Sequence, residues 1–166
     1  MRQNTRHILQ ILDAEKDKLF QYASYRLHDI KDVEDVLQNT YMKTLSNEER
    51  LKDIANLRAY FYRMVSNECS DIIRERSRTE ALSADAPEIS DIACEQPENF
   101  EEEFALINRL LNIIPFEQSE IIRFRLHSNL TFQEIADVVE VPLPTVKARF
   151  RYGIEKIKTQ LKLSML

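Results

Sequence analysis

Glycine is nearly missing: Gly153 is the only one in 166 residues. Tight left-handed turns and phosphate-cradling loops both draw on glycine, so a nucleotide-binding loop of that kind is excluded. Alternating strand patterns and internal repeats are absent as well. The two cysteines, Cys69 and Cys94, fit no metal-ligand spacing. Cys69 falls on an apolar helix face and reads as a buried thiol in a reducing compartment. No run of about 18 apolar residues, signal peptide or lipidation motif occurs, so a soluble cytoplasmic protein is expected. His7, His28 and His127 stand in unrelated contexts, and no Ser/His/Asp or metal grouping is recognisable. Neither enzymatic activity, nor a cofactor, nor a small-molecule substrate is expected. Five prolines and 43% hydrophobic residues suit a helical chain with few tight turns, and the expected class is all-α.

What charge there is lies unevenly. The net charge is −5, yet residues 79–103 hold nine acidic side chains and no basic ones. Residues 141–166 hold six basic and one acidic. The acidic stretch, "TEALSADAPEISDIACEQPENFEEE", also contains Pro87 and Pro97. It reads as a linker, mostly without fixed structure, between helical domains at 1–78 and 104–166.

The basic end carries the clearest motif. In "TFQEIADVV", Thr131 and Glu134 form a capping-box pattern, and Phe132, Ile135, Ala136 and Val139 follow at helical spacing. A tight turn leads to Pro142 and Pro144, which are tolerated only around a helix start, so a second helix is expected from about residue 143 or 144. Val146, Phe150, Ile154, Ile157 and Leu161 form its apolar stripe. Ala148 and Tyr152 lie opposite, flanked by Thr145 and Arg151, with Lys147 and Arg149 toward the two edges. A charged helix face is ordinarily just a solvated face. Behind a short capped helix and a tight turn, it is the reading helix of a helix-turn-helix. "SEIIRFRLHSNL" supplies a supporting helix, with Asn129 where a left-handed residue would close it.

Three helical patterns precede the linker. Residues 2–28 read as two helices broken near "DAEKD". "DVEDVLQNTYMKTL" reads as a helix capped by Asp32. Its apolar face is Val33, Val36, Leu37, Thr40, Tyr41 and Leu45, and its opposite face is Asp35, Gln38, Asn39 and Met42. "NLRAYFYRMVSNECSDIIRERSR" sends Leu57, Phe61, Met64, Val65, Ile72 and Ile73 inward. Its outward side is Arg58, Tyr62, Arg63, Asn67, Ser70, Arg74 and Arg78. Cations track phosphates and exposed aromatics stack on unpaired bases, so this mixture suits single-stranded nucleic acid, with a plain solvated helix as the bland alternative.

Together these stretches resemble a bacterial RNA polymerase sigma factor of the small, extracytoplasmic-function group, over residues 15–78 and 105–162. The resemblance implies partners and roles. The Asp35, Gln38 and Asn39 face is similar to the patch that grips core RNA polymerase, with Asn39 departing from the usual acid. Tyr62, Arg63, Asn67 and Arg74 match positions around the melted −10 element, Asn67 helping to capture a flipped base. Arg125, Thr145 and Arg149 match backbone-contacting positions in the −35 reader, and Lys147, Ala148, Arg151 and Tyr152 match positions facing base edges. Pro144 and Glu140 stand where glycine is common. The resemblance also implies promoter DNA as ligand and a membrane-linked anti-sigma protein as regulator. A 25-residue linker spans about 25–30 Å as a coil and about 80–90 Å extended, so reaching two promoter elements requires the polymerase to hold it stretched. The competing reading is a helix-turn-helix regulator acting independently of polymerase, which predicts dimers and palindromic half-sites and leaves the Asp35 face unexplained.

Overall fold

In the computed structural model, residues 3–82 and 101–166 are described, with side chains from 105 onward in the second segment. The chain divides into two compact units, Met1–Glu95 and Gln96–Leu166. All regular structure among the described residues is helical, as the composition implies.

The first unit holds α1 (Gln3–Leu27), α2 (Ile30–Ser46), the single turn α3 (Glu48–Leu51) and α4 (Leu57–Leu82). α1 packs against both α2 and α4, and α2 also packs against α4. Their shared core includes Leu12, Leu19, Tyr22, Val36, Phe61, Val65 and Cys69, all fully buried.

Four readings of this half need correction. α1 is one unbroken helix, not two. "DAEKD" has no glycine or proline, and Ala, Glu and Lys favour the helix. Its charges also find partners on other helices. Asp13 accepts a 2.6 Å bond from the Tyr41 hydroxyl, and Glu15 accepts one of 2.8 Å from Tyr62 while pairing with Arg58 at 3.0 Å. The cap of α2 is Asp29, which has extended dihedrals and accepts the Lys31 N–H at 2.9 Å. Asp32 instead falls in the first turn, where it pairs with Arg76 of α4. Thr44 is buried and Leu45 is 48% exposed, because residue 44 lies about 20° around the helix from Val33 and residue 45 about 120°. The Thr44 hydroxyl meets the cost of burial by donating to the Thr40 carbonyl at 2.7 Å. On α4, Ile73 is 39% exposed and Tyr62 is wholly buried, the reverse of their expected sides.

The second unit holds α5 (Glu101–Ile113), α6 (Phe116–Leu126), α7 (Phe132–Val139) and α8 (Leu143–Ser164). α8 is the central element, packing on α5, α6 and α7. Leu111, Ile114 and Ile122 form a core against which Phe150, Ile154 and Ile157 of α8 pack, so the expected stripe is the inward one, Val146 fully buried and these three partly so. Gly153 lets α8 approach closely: a Cβ there would stand 2.7 Å from Ile122 Cδ1 and 3.3 Å from Gln118 Cβ. The stretch expected to be a linker, 79–103, is helical at both ends, since α4 runs to Leu82 and α5 starts at Glu101. Its middle, with Cys94, lies outside the described residues.

Candidate nucleic-acid and polymerase interfaces

The α7–turn–α8 unit follows from its local chemistry. Thr131 Oγ1 accepts the Glu134 N–H at 3.1 Å, and Glu134 Oε2 accepts the Thr131 N–H at 2.8 Å, which completes the capping box. Two of the four unpaired donors at the helix start are thereby satisfied. α7 ends at Glu140, a left-handed residue with φ 56° and ψ 44°. Asn129, beyond α6, is left-handed too, at φ 52°. Pro142 then caps α8, its carbonyl accepting from Thr145 at 3.0 Å and Val146 at 3.2 Å, with Pro144 in the first turn.

With its stripe packed inward, α8 turns the other face outward. Lys147, Arg151 and Tyr152 are exposed, while Thr145, Ala148 and Arg149 are half-buried beside them. Among the described residues Lys147, Arg149, Arg151, Lys156, Lys158 and Lys162 have no ion-pair partner. Arg151 lies over its neighbour, guanidinium carbon 5.2 Å from the Tyr152 ring centre. The result is a cationic helix edge whose charges are available to an external polyanion. Arg125, at the end of α6, stands apart from this face. It is half-buried, and its guanidinium is turned toward Leu130 and Phe132.

α4 is built differently. Asn67 and Arg74 are exposed and Arg63 is half-buried. Arg74 pairs with Asp71 at 3.3 Å, Arg78 with Glu75 at 2.7 Å and Arg76 with Asp32 and Asp29. Tyr62 offers no stacking surface. Its hydroxyl is bound to Glu15 and its ring meets Tyr22 edge-on at 6.5 Å. A helix flanked by two others buries a wider arc than one apolar stripe, and Tyr62 lies within that arc beside Phe61. Ser70, half-buried, accepts a 3.0 Å bond from Arg26. Sequence spacing had no means of finding the links from Arg76 to Asp32 or from Lys43 to Glu68, because those partners lie far apart in the chain.

On α2, Asp35, Gln38 and Asn39 are exposed together, next to Met42 at 59% exposure. None of the three polar residues has an intramolecular partner among the described residues. His127 is held as a neutral imidazole, its pKa pushed down to about 4 by burial and by the nearby Arg123 charge. Among the described residues there is no cluster that could hold a metal, and no helix is long and apolar enough to cross a membrane.

Comparison with known proteins matches residues 11–79 to Sigma-70 region 2 and residues 110–159 to Sigma-70 region 4. Over 165 residues the chain is 24% identical to the ECF RNA polymerase sigma factor SigW of Bacillus subtilis (strain 168), covering 92% of this chain and 87% of that protein. It is 26% identical over 157 residues to the RNA polymerase sigma factor SigZ of the same organism, at 94% and 88% coverage. Among solved structures, it shares its fold with the sigma factor RpoE in complex with the anti-sigma factor NepR from Bartonella quintana. That match has TM-score 0.73, 22% identity and 95% coverage of both chains. It also resembles CnrH in complex with the cytosolic domain of CnrY, with TM-score 0.72, 19% identity, and 97% and 91% coverage.

Proposed function

This chain belongs to the sigma-70 family, in its extracytoplasmic-function group, and from that premise we propose how its surfaces divide the work of directing promoter-specific transcription initiation. A sigma factor is not an enzyme: it makes no bond itself and lends recognition and strand separation to core RNA polymerase. In this reading residues 1–78 bind core polymerase and handle the −10 element, 79–103 tether, and 104–166 read the −35 element. The observation that carries it is α8, whose outward cations are unpaired among the described residues and follow a capped helix and a left-handed turn. Thr145 and Arg149 hold the phosphate backbone, while Lys147, Ala148, Arg151 and Tyr152 face base edges.

On α4, Asn67 captures a base flipped from the −10 element, with Arg63 and Arg74 beside the separating strands. Flipping costs a few kcal/mol, which an amide bonding a base edge helps to offset. Tyr62 supports this helix from inside. The exposed trio Asp35, Gln38 and Asn39 grips core polymerase, a role supported by their exposure and by the lack of an intramolecular partner among the described residues. The protein works in the cytoplasm and is restrained by a membrane-linked anti-sigma protein. An anti-sigma partner is supported by the solved structure of RpoE, described in complex with the anti-sigma factor NepR, and its membrane link by that of CnrH, described in complex with the cytosolic domain of CnrY. The test is run-off transcription with purified core polymerase on a promoter library. Initiation only when the chain and core are both present is expected. Sequence-specific binding by the chain alone, as a dimer on palindromic sites and without any effect on initiation, would replace this reading with that of a free-standing regulator.

A further inference from the structure

The resemblance assigns Arg125 to the DNA backbone, yet the side chain is engaged inside its own domain. Its Nη1 donates to the Leu130 carbonyl at 3.0 Å, and its guanidinium carbon lies 4.9 Å from the centre of the Phe132 ring. Phe132 then meets Phe150 edge-on, with ring centres 5.2 Å apart and planes at 69°. Leu130 immediately precedes the capping box, Phe132 opens α7, and Phe150 sits in α8 between Arg149 and Arg151. One planar cation therefore ties the end of α6 to the start of α7 and, through two rings, to the middle of the reading helix. Cation–ring and ring–ring contacts are each directional, so the chain constrains how α8 is rotated as well as where it lies.

We propose that Arg125 is a positioning residue for base reading: through Phe132 and Phe150 it sets the rotation of α8 that brings Arg151 and Tyr152 to the base edges. This rests on α8 being the −35 reader. The experiment compares holoenzymes carrying Arg125→Met, Phe132→Leu or Arg149→Ala on duplexes randomised over the −35 element, scoring both base preference and salt dependence. Thermal unfolding of each full chain confirms that it is folded at the assay temperature.

Under the proposal, Arg125→Met lowers the preference for the selected base about fivefold or more, the low end of what one good base contact is worth. The salt slope stays at the wild-type value, and uncharged Phe132→Leu reproduces the effect. A phosphate contact would instead give Arg125→Met an unchanged preference and a slope shallower by about 0.9. That result, or a wild-type preference in Phe132→Leu, overturns the proposal. Should Arg125→Met fail to fold, Phe132→Leu decides alone: a relaxed preference supports the role and an unchanged one overturns it. Arg149→Ala tests the premise separately, since a variant indistinguishable from wild type in slope and affinity would remove α8 from the DNA altogether.

Discussion

α4 and α8 both carry basic side chains on an outward face, but they handle them in opposite ways. α4 has five arginines and four acids, and Arg58, Arg74, Arg76 and Arg78 each pair with a carboxylate from α1, α2 or α4 itself. α8 has six cations and one acid, with no ion pair on any of those cations among the described residues. The exposed pairs, those of Arg74 and Arg78, are worth only about 0–1 kcal/mol, so that stretch of α4 is not locked. Its net field is nonetheless small, and a phosphate that takes one of its arginines leaves a carboxylate facing DNA. α8 can release counterions from duplex DNA without that penalty. The difference fits the proposed division of labour, in which α8 takes an intact duplex and α4 takes bases that have already left the stack, held by hydrogen bonding at Asn67.

Separating the two halves physically should give the largest effect. Gly153→Val places a branched side chain where even a lone Cβ would stand 2.7 Å from Ile122 Cδ1. Overpacking of this kind should cost about 2–3 kcal/mol. Hydrogen exchange in the full chain should show lost protection in α6 and α8 and unchanged protection in α1, α2 and α4. Next comes Arg151→Ala, expected to relax preference at one or two −35 base pairs by about 1–3 kcal/mol in a selection experiment. An identical sequence logo would mean that the reading face of α8 has been drawn wrongly. Glu140→Gly is smaller and of opposite sign. It relieves a left-handed backbone that costs an L-residue about 1–2 kcal/mol, so melting of the second unit should rise by a few degrees.

Acid should act most gently, and on the second unit. His127 is held at about 4 against an ordinary value of 6.5, so the unfolded chain binds the extra proton between those values. Stability is therefore full above pH 6.5 and declines as pH falls toward 4. His127→Gln should flatten that slope in acid titrations monitored by circular dichroism, and an unaltered slope would place the acid sensitivity elsewhere.

The second half was the more legible in sequence because its signals are local. A capping box spans four residues, and the start of α8 is fixed by prolines that cannot sit deeper in a helix. The exposed Asp35, Gln38 and Asn39 face also followed directly from helical period. The errors arose where neighbours decide. Asp29 and Asp32 are equivalent cap candidates by type, and the choice between them rests on dihedrals and on Arg76 claiming Asp32. The charges of "DAEKD" resemble a break until Tyr41, Tyr62 and Arg58 are found waiting on other helices. Tyr62 is buried because α4 has two neighbours, and the turn of Arg125 toward Phe132 depends on how three helices meet. No periodicity encodes either.

The most direct test of the contrast between α4 and α8 is open-complex formation by holoenzymes carrying Arg149→Ala or Asn67→Ala, measured on fully paired and on pre-melted promoter templates. Arg149→Ala should weaken both templates alike, with a salt slope shallower by about one unit, because its proposed contact is to duplex backbone upstream of the opening. Asn67→Ala should impair the paired template and recover in part on the pre-melted one, where unpairing has already occurred. Recovery of Arg149→Ala by pre-melting, together with none for Asn67→Ala, would contradict the account.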